Sequence, residues 1–193
     1  MTYFRQFAFS FLVFVCADAF AQSDTAASAA DGAKQFDFLL GQWELDVHPK
    51  ISSLAAMIHG TPKLTGTWKA WRAIDGRAIE DEMRIVDASG NPLTLDRSLR
   101  FFAAGDHIWR MIGLDLQHSR THESVGHFGD GQMQVENHYD EDGKSILMRT
   151  HYFDISTDAF RLRQERSVDG GATWEDFSVS IDAKRISATA TPD

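Results

Sequence analysis

An alternation of apolar and polar side chains recurs from Leu39 almost to the end of the chain, and turn dipeptides interrupt it. Alternation with a period of two places successive side chains on opposite faces of a strand. The alternating runs are about Leu39 to Val47, Thr65 to Ile74, Arg77 to Val86, Thr94 to Ala103 and His107 to Leu116, then Arg120 to Phe128, Gln132 to Tyr139, Lys144 to Phe153, Ala159 to Val168 and Thr173 to Ala183. Between them stand Asp75-Gly76, Ser89-Gly90-Asn91-Pro92, Gly105-Asp106, Asp130-Gly131 and Asp142-Gly143. An Asp-Gly pair between alternating runs is a strong signal for a two-residue hairpin loop. Sequential hairpins without long crossovers make an up-and-down meander, and closing it removes two exposed edges. The predicted fold is therefore all-β: a closed antiparallel up-and-down barrel of about ten strands. An open two-sheet sandwich is the alternative. A barrel of this size has room inside for a ligand as well as side chains.

One segment breaks the period. Ile51, Leu54, Ala55 and Ile58 fall at i, i+3, i+4 and i+7, with Ser52 and Ser53 before them and Gly60 after. That spacing predicts one short amphipathic helix after the first strand, placed to cover a barrel mouth.

The N-terminus has a different character. Arg5 gives a positive start, Phe7 to Val15 is apolar, and Ala19-Phe20-Ala21 is an A-x-A cleavage site. This predicts a signal peptide over residues 1–21, cut before Gln22, and a periplasmic or secreted protein. The apolar run is roughly half the ~20 residues needed to span a bilayer, so no membrane span is expected. The only cysteine, Cys16, lies in the leader, so disulfides, thiolate nucleophiles and cysteine-bound zinc are excluded from the mature chain. The net charge of −9 and the absence of a Lys/Arg run argue against nucleic acid as a partner. Residues 22–34, rich in Ala, Ser and Asp, read as a flexible tether; residues 35–186 form the barrel domain, and 187–193 a frayed tail.

Hairpin register indicates which side chains meet. The Asp130-Gly131 loop pairs Tyr139 with His122, Asn137 with Ser124, and Val135 with Gly126. The loop at 142–143 sets Tyr139 against Ile146, Asn137 against Met148, Val135 against Thr150, and Met133 against Tyr152. This is the more apolar face and is assigned to the interior. The opposite face carries Glu123, His127, Gln134, Glu136, His138, Arg149 and His151, a costly set to bury and therefore a solvated exterior. Inside, His122, Ser124, Asn137 and Tyr139 form a compact polar group, which either orients a ligand or satisfies itself. Trp43, Trp68, Trp109, Met148 and Tyr152 complete the candidate cavity. Asp81 joins them, sharing a face with Ile79, Met83 and Ile85, with Arg72 or Arg97 as its expected partner. On the strand from His107 to Leu116 both faces are apolar, which suggests a homodimer or partner contact.

The eight histidines do not combine into a metal site. His118 and His122 would stand roughly 13 Å apart along a strand, and His127 and His151 about 10 Å apart across two, too far for one zinc. No G-x-S-x-G elbow, phosphate loop or dinucleotide fingerprint occurs.

Ser167-Val168-Asp169-Gly170-Gly171-Ala172-Thr173-Trp174 matches S-x-D-x-G-x-T-W and resembles the Asp-box hairpin of sialidase-type propellers. It occurs once, whereas a propeller repeats it in successive blades, so here it reads as a structural turn. Phe36 to Leu45, Ala73 to Asp81 and this hairpin together resemble a family of bacterial, often exported, domains of unknown function. That family is similar to the calycin superfamily of lipocalins, fatty-acid-binding proteins and nitrobindins. Gly41-Gln42-Trp43 resembles the lipocalin Gly-x-Trp of the first strand. The resemblance implies a barrel that holds something apolar and carries over no catalytic residues. No cofactor is expected, although the nitrobindin likeness would place a haem on one histidine, for which His122 is the candidate. Three functions compete: a binding barrel for a small apolar or amphipathic molecule, a cavity-type isomerase, cyclase or hydrolase using His122 and Tyr139, and an interaction module with a filled barrel.

Overall fold

Ten strands run in sequence order around one closed barrel: β1 (Gly41–Pro49), β2 (Leu64–Ala73), β3 (Ala78–Val86), β4 (Pro92–Ala103), β5 (Ile108–Asp115), β6 (Arg120–Gly129), β7 (Gln132–Glu141), β8 (Lys144–Phe153), β9 (Ala159–Ser167) and β10 (Glu175–Ser187). This is a computed structural model, and it describes residues 31–52, 57–58, 60–141 and 143–192. Each strand pairs antiparallel with its neighbours in sequence, and β1 pairs with β10 to close the ring. Closure decides against the open sandwich. The fold is the calycin-like meander barrel.

The hairpins set the register that their turn residues predict, except that the β6–β7 ladder stops at Ser124 and Asn137, short of the expected Tyr139–His122 pair. Ser124 faces Asn137 and Gly126 faces Val135, and the β6–β7 ladder ends at Gly129 and Gln132 across Asp130-Gly131. Both loop residues have positive φ, 52° and 72°, as a tight two-residue turn requires. On β8, Met148 faces Asn137, Thr150 faces Val135 and Tyr152 faces Met133.

One end of the barrel is closed by residues that precede β1. Asp31 to Lys34, expected to be part of a loose tether, instead fold into successive turns, with Lys34 N–H bonded to Asp31 O and Gln35 N–H to Gly32 O. These turns lead into a 3-10 helix, Asp37–Leu39, which delays the start of β1 to Gly41. Gly41 has φ 113°, and a side chain there would strike Ser187 O at 2.4 Å, so this position favours glycine. Phe36 and Leu39 are fully buried beneath the sheet. Trp43 is buried with them; its Nε1 donates to Leu39 O at 2.7 Å, and its ring meets Phe160 at 4.7 Å. The Arg185 guanidinium lies 4.0 Å over the Trp43 ring and donates to the carbonyls of Phe38 and Leu40. Each aromatic removed from water here contributes roughly 1.5–3 kcal/mol, making this plug the stable end of the molecule.

The amphipathic helix expected over Ile51 to Ile58 falls largely on residues 53–56, which lie outside the described residues, as do the expected leader and Cys16. Met57 and Ile58 are helical and exposed. No described helix is long and apolar enough to cross a membrane. Between β9 and β10, Asp169 accepts hydrogen bonds from Thr173 N–H at 2.9 Å, Thr173 Oγ1 at 2.6 Å and Ser167 Oγ at 2.7 Å. These bonds stabilise the carboxylate and hold the Asp169 carboxyl down at about 2. The Trp174 Nε1 donates to Gly171 O at 3.1 Å, and the Arg149 guanidinium covers its ring at 3.7 Å.

Candidate functional site

Above the plug the barrel is not filled. A cavity of about 500 Å³ occupies its interior, within the roughly 300–1,000 Å³ usual for small-molecule sites. Trp68, Asp81, His122, Ser124, Asn137, Tyr139, Met148 and Tyr152, all among the expected cavity residues, line it. Trp43 and Trp109 do not. They have the inward parity of their strands, but at the plugged end that parity leads into packed core. Trp109 is wedged edge-on against Phe36 at 5.0 Å, and its Nε1 donates to Gln35 Oε1 at 3.2 Å.

The cavity floor is a buried charge network. Asp81 is 2% exposed, and its partner is Arg100, not Arg72 or Arg97. Arg100 Nε donates to Asp81 Oδ2 at 2.5 Å and Nη2 to Oδ1 at 3.0 Å, while Trp68 Nε1 donates to the same Oδ1 at 2.8 Å. Arg72 instead clasps Asp37 of the plug, and Arg97 bridges Glu80 and Glu82 outside. The Arg100 guanidinium also lies 5.1 Å from the Phe36 ring, and its Nη1 is 3.2 Å from Met111 Sδ. Burial disfavours the charge on Arg100, but Asp81 and Tyr152 together outweigh that and raise its pKa above the ordinary value. Burial likewise raises the Tyr152 phenol, partly opposed by a hydrogen bond with Arg100. The network satisfies its own polar atoms, so the floor is a rigid base.

The walls differ from one side to the other. Leu162, Val179 and Ile181 of β9 and β10 and Ile85 of β3 form an apolar side. Asp96, Ser98, His122, Ser124, Asn137 and Tyr139 of β4, β6 and β7 form a polar one. Gly113 of β5 makes part of this geometry. It pairs with Ser98 on one side and His122 on the other. A side chain there would stand 2.1 Å from His122 Cε1 and Nε2, so the imidazole lies flat over β5 towards β4. It thereby comes within electrostatic range of Asp96, whose Oδ1 accepts from Ser98 Oγ at 3.1 Å. Burial raises the Asp96 carboxyl above the usual carboxylate range, and His122 partly offsets this. Tyr139 is raised as well, by burial and then by Glu141.

Arg100 and Asp96 were not among the candidates. The only signal for them was the parity of β4, and a register shift between Ile85 and Val86 obscures it. The exterior assignment agrees with the contacts found. Arg149 Nε meets Glu136 Oε1 at 2.9 Å, His151 meets Glu165 at 3.2 Å, and His127 and His138 are exposed.

Among the described residues no group of three or more potential ligands gathers as a metal site.

The fold and the cavity define a calycin-like barrel with one plugged end and a half-polar interior. No family model matches the chain, and no curated protein matches it either.

Proposed function

We propose that this chain is an exported binding barrel of the calycin type that holds a small amphipathic molecule in its interior. The observation that carries this reading is the cavity of about 500 Å³ with one apolar and one polar wall. A purely structural barrel gains by filling such a space, since unfilled volume costs stability. An aliphatic ligand alone would leave Asn137, Ser124 and His122 facing hydrocarbon, so the polar wall favours an amphipathic occupant over an apolar one. The A-x-A site before Gln22 supports export.

Native mass spectrometry of protein purified from its own host tests both parts. The expected spectrum shows a chain beginning at Gln22 with a bound small molecule. A bare mass, together with tryptophan fluorescence unmoved by an uncharged probe such as 1-N-phenylnaphthylamine, contradicts the binding function. A chain that keeps residues 1–21 contradicts export.

A second reading is an isomerase, cyclase or hydrolase acting through His122 and Tyr139, and the approach of His122 to Asp96 favours it. Its test is turnover on a lipid, terpenoid or ester panel that His122→Ala abolishes.

An apolar strip on the outer wall, Phe101, Ile112 and Leu114, each more than a third exposed, supports the expected contact at β5. Sedimentation of the wild type against Ile112→Lys checks for a dimer there.

A further inference from the structure

We infer that the cavity selects ligands carrying a cationic amine, held at Asp96, and rejects carboxylates of the same size and shape. This rests on the binding function proposed above and names the chemistry of its occupant.

The charges lining the cavity are unequal. Four carboxylates, Asp81, Asp96, Asp115 and Glu141, face two guanidiniums, Arg100 and Arg120. Three of the acids are engaged. Asp81 is held by Arg100 and Trp68. At the mouth Asp115 takes the His118 N–H at 3.0 Å and the Arg120 guanidinium at 3.6 Å. Glu141 lies 3.9 Å from Arg166. Asp96 differs from these three. Among the described residues it has no contact ion pair with an arginine or lysine; it accepts a hydrogen bond from a neutral donor, Ser98 Oγ, and the His122 imidazole stands within electrostatic range without an ion-pair contact.

The cations are unequal in the same direction. A fatty-acid-like carboxylate would need Arg100 or Arg120. Arg100 is capped by Asp81 in a two-point pair and covered by Phe36 and Met111, so capturing a second anion would mean breaking a buried pair. Arg120 is exposed at the rim and already faces Asp115. A carboxylate entering the cavity would therefore lie near Asp96 with no free guanidinium at that depth.

An ammonium group meets the opposite conditions. Asp96 offers a partly desolvated carboxylate, where a charge-assisted hydrogen bond is about twice as strong as a neutral one. Ser124 and Asn137 line the same wall and add neutral acceptors for the remaining N–H groups. The apolar body of the ligand then runs towards Leu162 and Ile181 above the floor. His122 lies beside this site, its imidazole flat over β5 and within electrostatic range of Asp96, and among the described residues it makes no contact ion pair with that carboxylate.

The experiment compares octylamine, octanol and octanoate for binding to the full mature chain, read by tryptophan fluorescence and calorimetry at neutral pH and low salt. Octylamine is expected to bind at least about tenfold more tightly than octanoate, with octanol between them. Asp96→Asn should reduce octylamine binding about tenfold, to near that of octanol, and leave octanol itself unchanged. Octanoate binding as tightly as octylamine overturns the inference, and so does an Asp96→Asn variant that keeps full amine affinity. In either case octanol binding leaves the proposed binding function standing. If none of the three binds, both fail. Because the wild-type series decides by itself, a variant that folds poorly does not block the test.

Discussion

The two ends of this barrel are built from the same alternating strands and serve different ends. At the plugged end, Phe36, Trp43, Trp109 and Phe160 pack edge to face, each no more than 1% exposed, and Arg185 ties the entering segment to the ring. Towards the open end the inward positions hold Asp96, His122, Asn137 and Tyr139, all partly exposed and lining empty volume. The contrast shows that inward parity in a closed meander does not mean core. It means core only where a cap meets it. The packed aromatic core lies at the plugged end, and the other end carries polar groups turned inward.

Substitutions at the two ends should therefore separate. The largest loss is expected for Trp43→Ala, about 3–5 kcal/mol in chemical denaturation, because it opens a void beneath Phe160 and removes the ring under Arg185. Asp81→Ala should follow at about 3 kcal/mol, since it leaves Arg100 buried without its counter-charge. Asn137→Ala and Ser124→Ala on the cavity wall should each cost less than about 1 kcal/mol while changing ligand affinity, because they vacate space that is already open. If they prove as costly as Trp43→Ala, the upper wall is core after all and the contrast fails. Smallest is Arg149→Ala at the surface, about 1 kcal/mol or less for its pairs with Glu136 and Trp174.

Acid gives an independent check at the β9–β10 turn. The Asp169 carboxyl titrates at about 2 in the fold, below its ordinary value of 3.8. Its contribution is complete above the unfolded value and disappears as pH falls from about 4 towards 2. Stability of the wild type should drop through that window more steeply than that of Asp169→Asn, measured by urea midpoints at successive pH values. Parallel curves would mean that the hydrogen bonds from Ser167 and Thr173 do not hold in solution.

The number of strands, their order and the register from β6 to β8 were legible because each depends on local chemistry. Asp130-Gly131 takes positive φ in a two-residue loop, and that fixes the β6–β7 register as far as Ser124 opposite Asn137. Eight of the ten candidate cavity residues line the cavity, those of β6 to β8 placed by this register and Trp68 and Asp81 by the alternation of their own strands. Trp43 and Trp109 share the inward parity but fall outside the cavity, because residues 31–40, which carry little periodicity of their own, form the cap that buries them. Arg100 and Asp96 were missed for a different reason. On β4 the inward positions are Thr94, Asp96, Ser98 and Arg100, whereas Leu99 and Phe101 lie on the other parity and point outward. Hydrophobic alternation therefore indicates the wrong face of that strand, and the bulge at Ile85/Val86 removes the count from the turn that would correct it. A polar wall turned into a barrel looks, in sequence, like a wall turned towards water.

Whether the upper interior receives a ligand can be read directly from the methionine methyl resonances of the chain. Met83, Met111 and Met148 line the cavity, Met133 is fully buried, and Met57 is exposed on the surface. Titration with octanol, an uncharged amphiphile, should shift the methyl signals of Met83, Met111 and Met148 along one saturating curve and leave Met57 and Met133 in place. Shifts confined to Met57, or no saturable shift at any of the three, would contradict a ligand-binding interior.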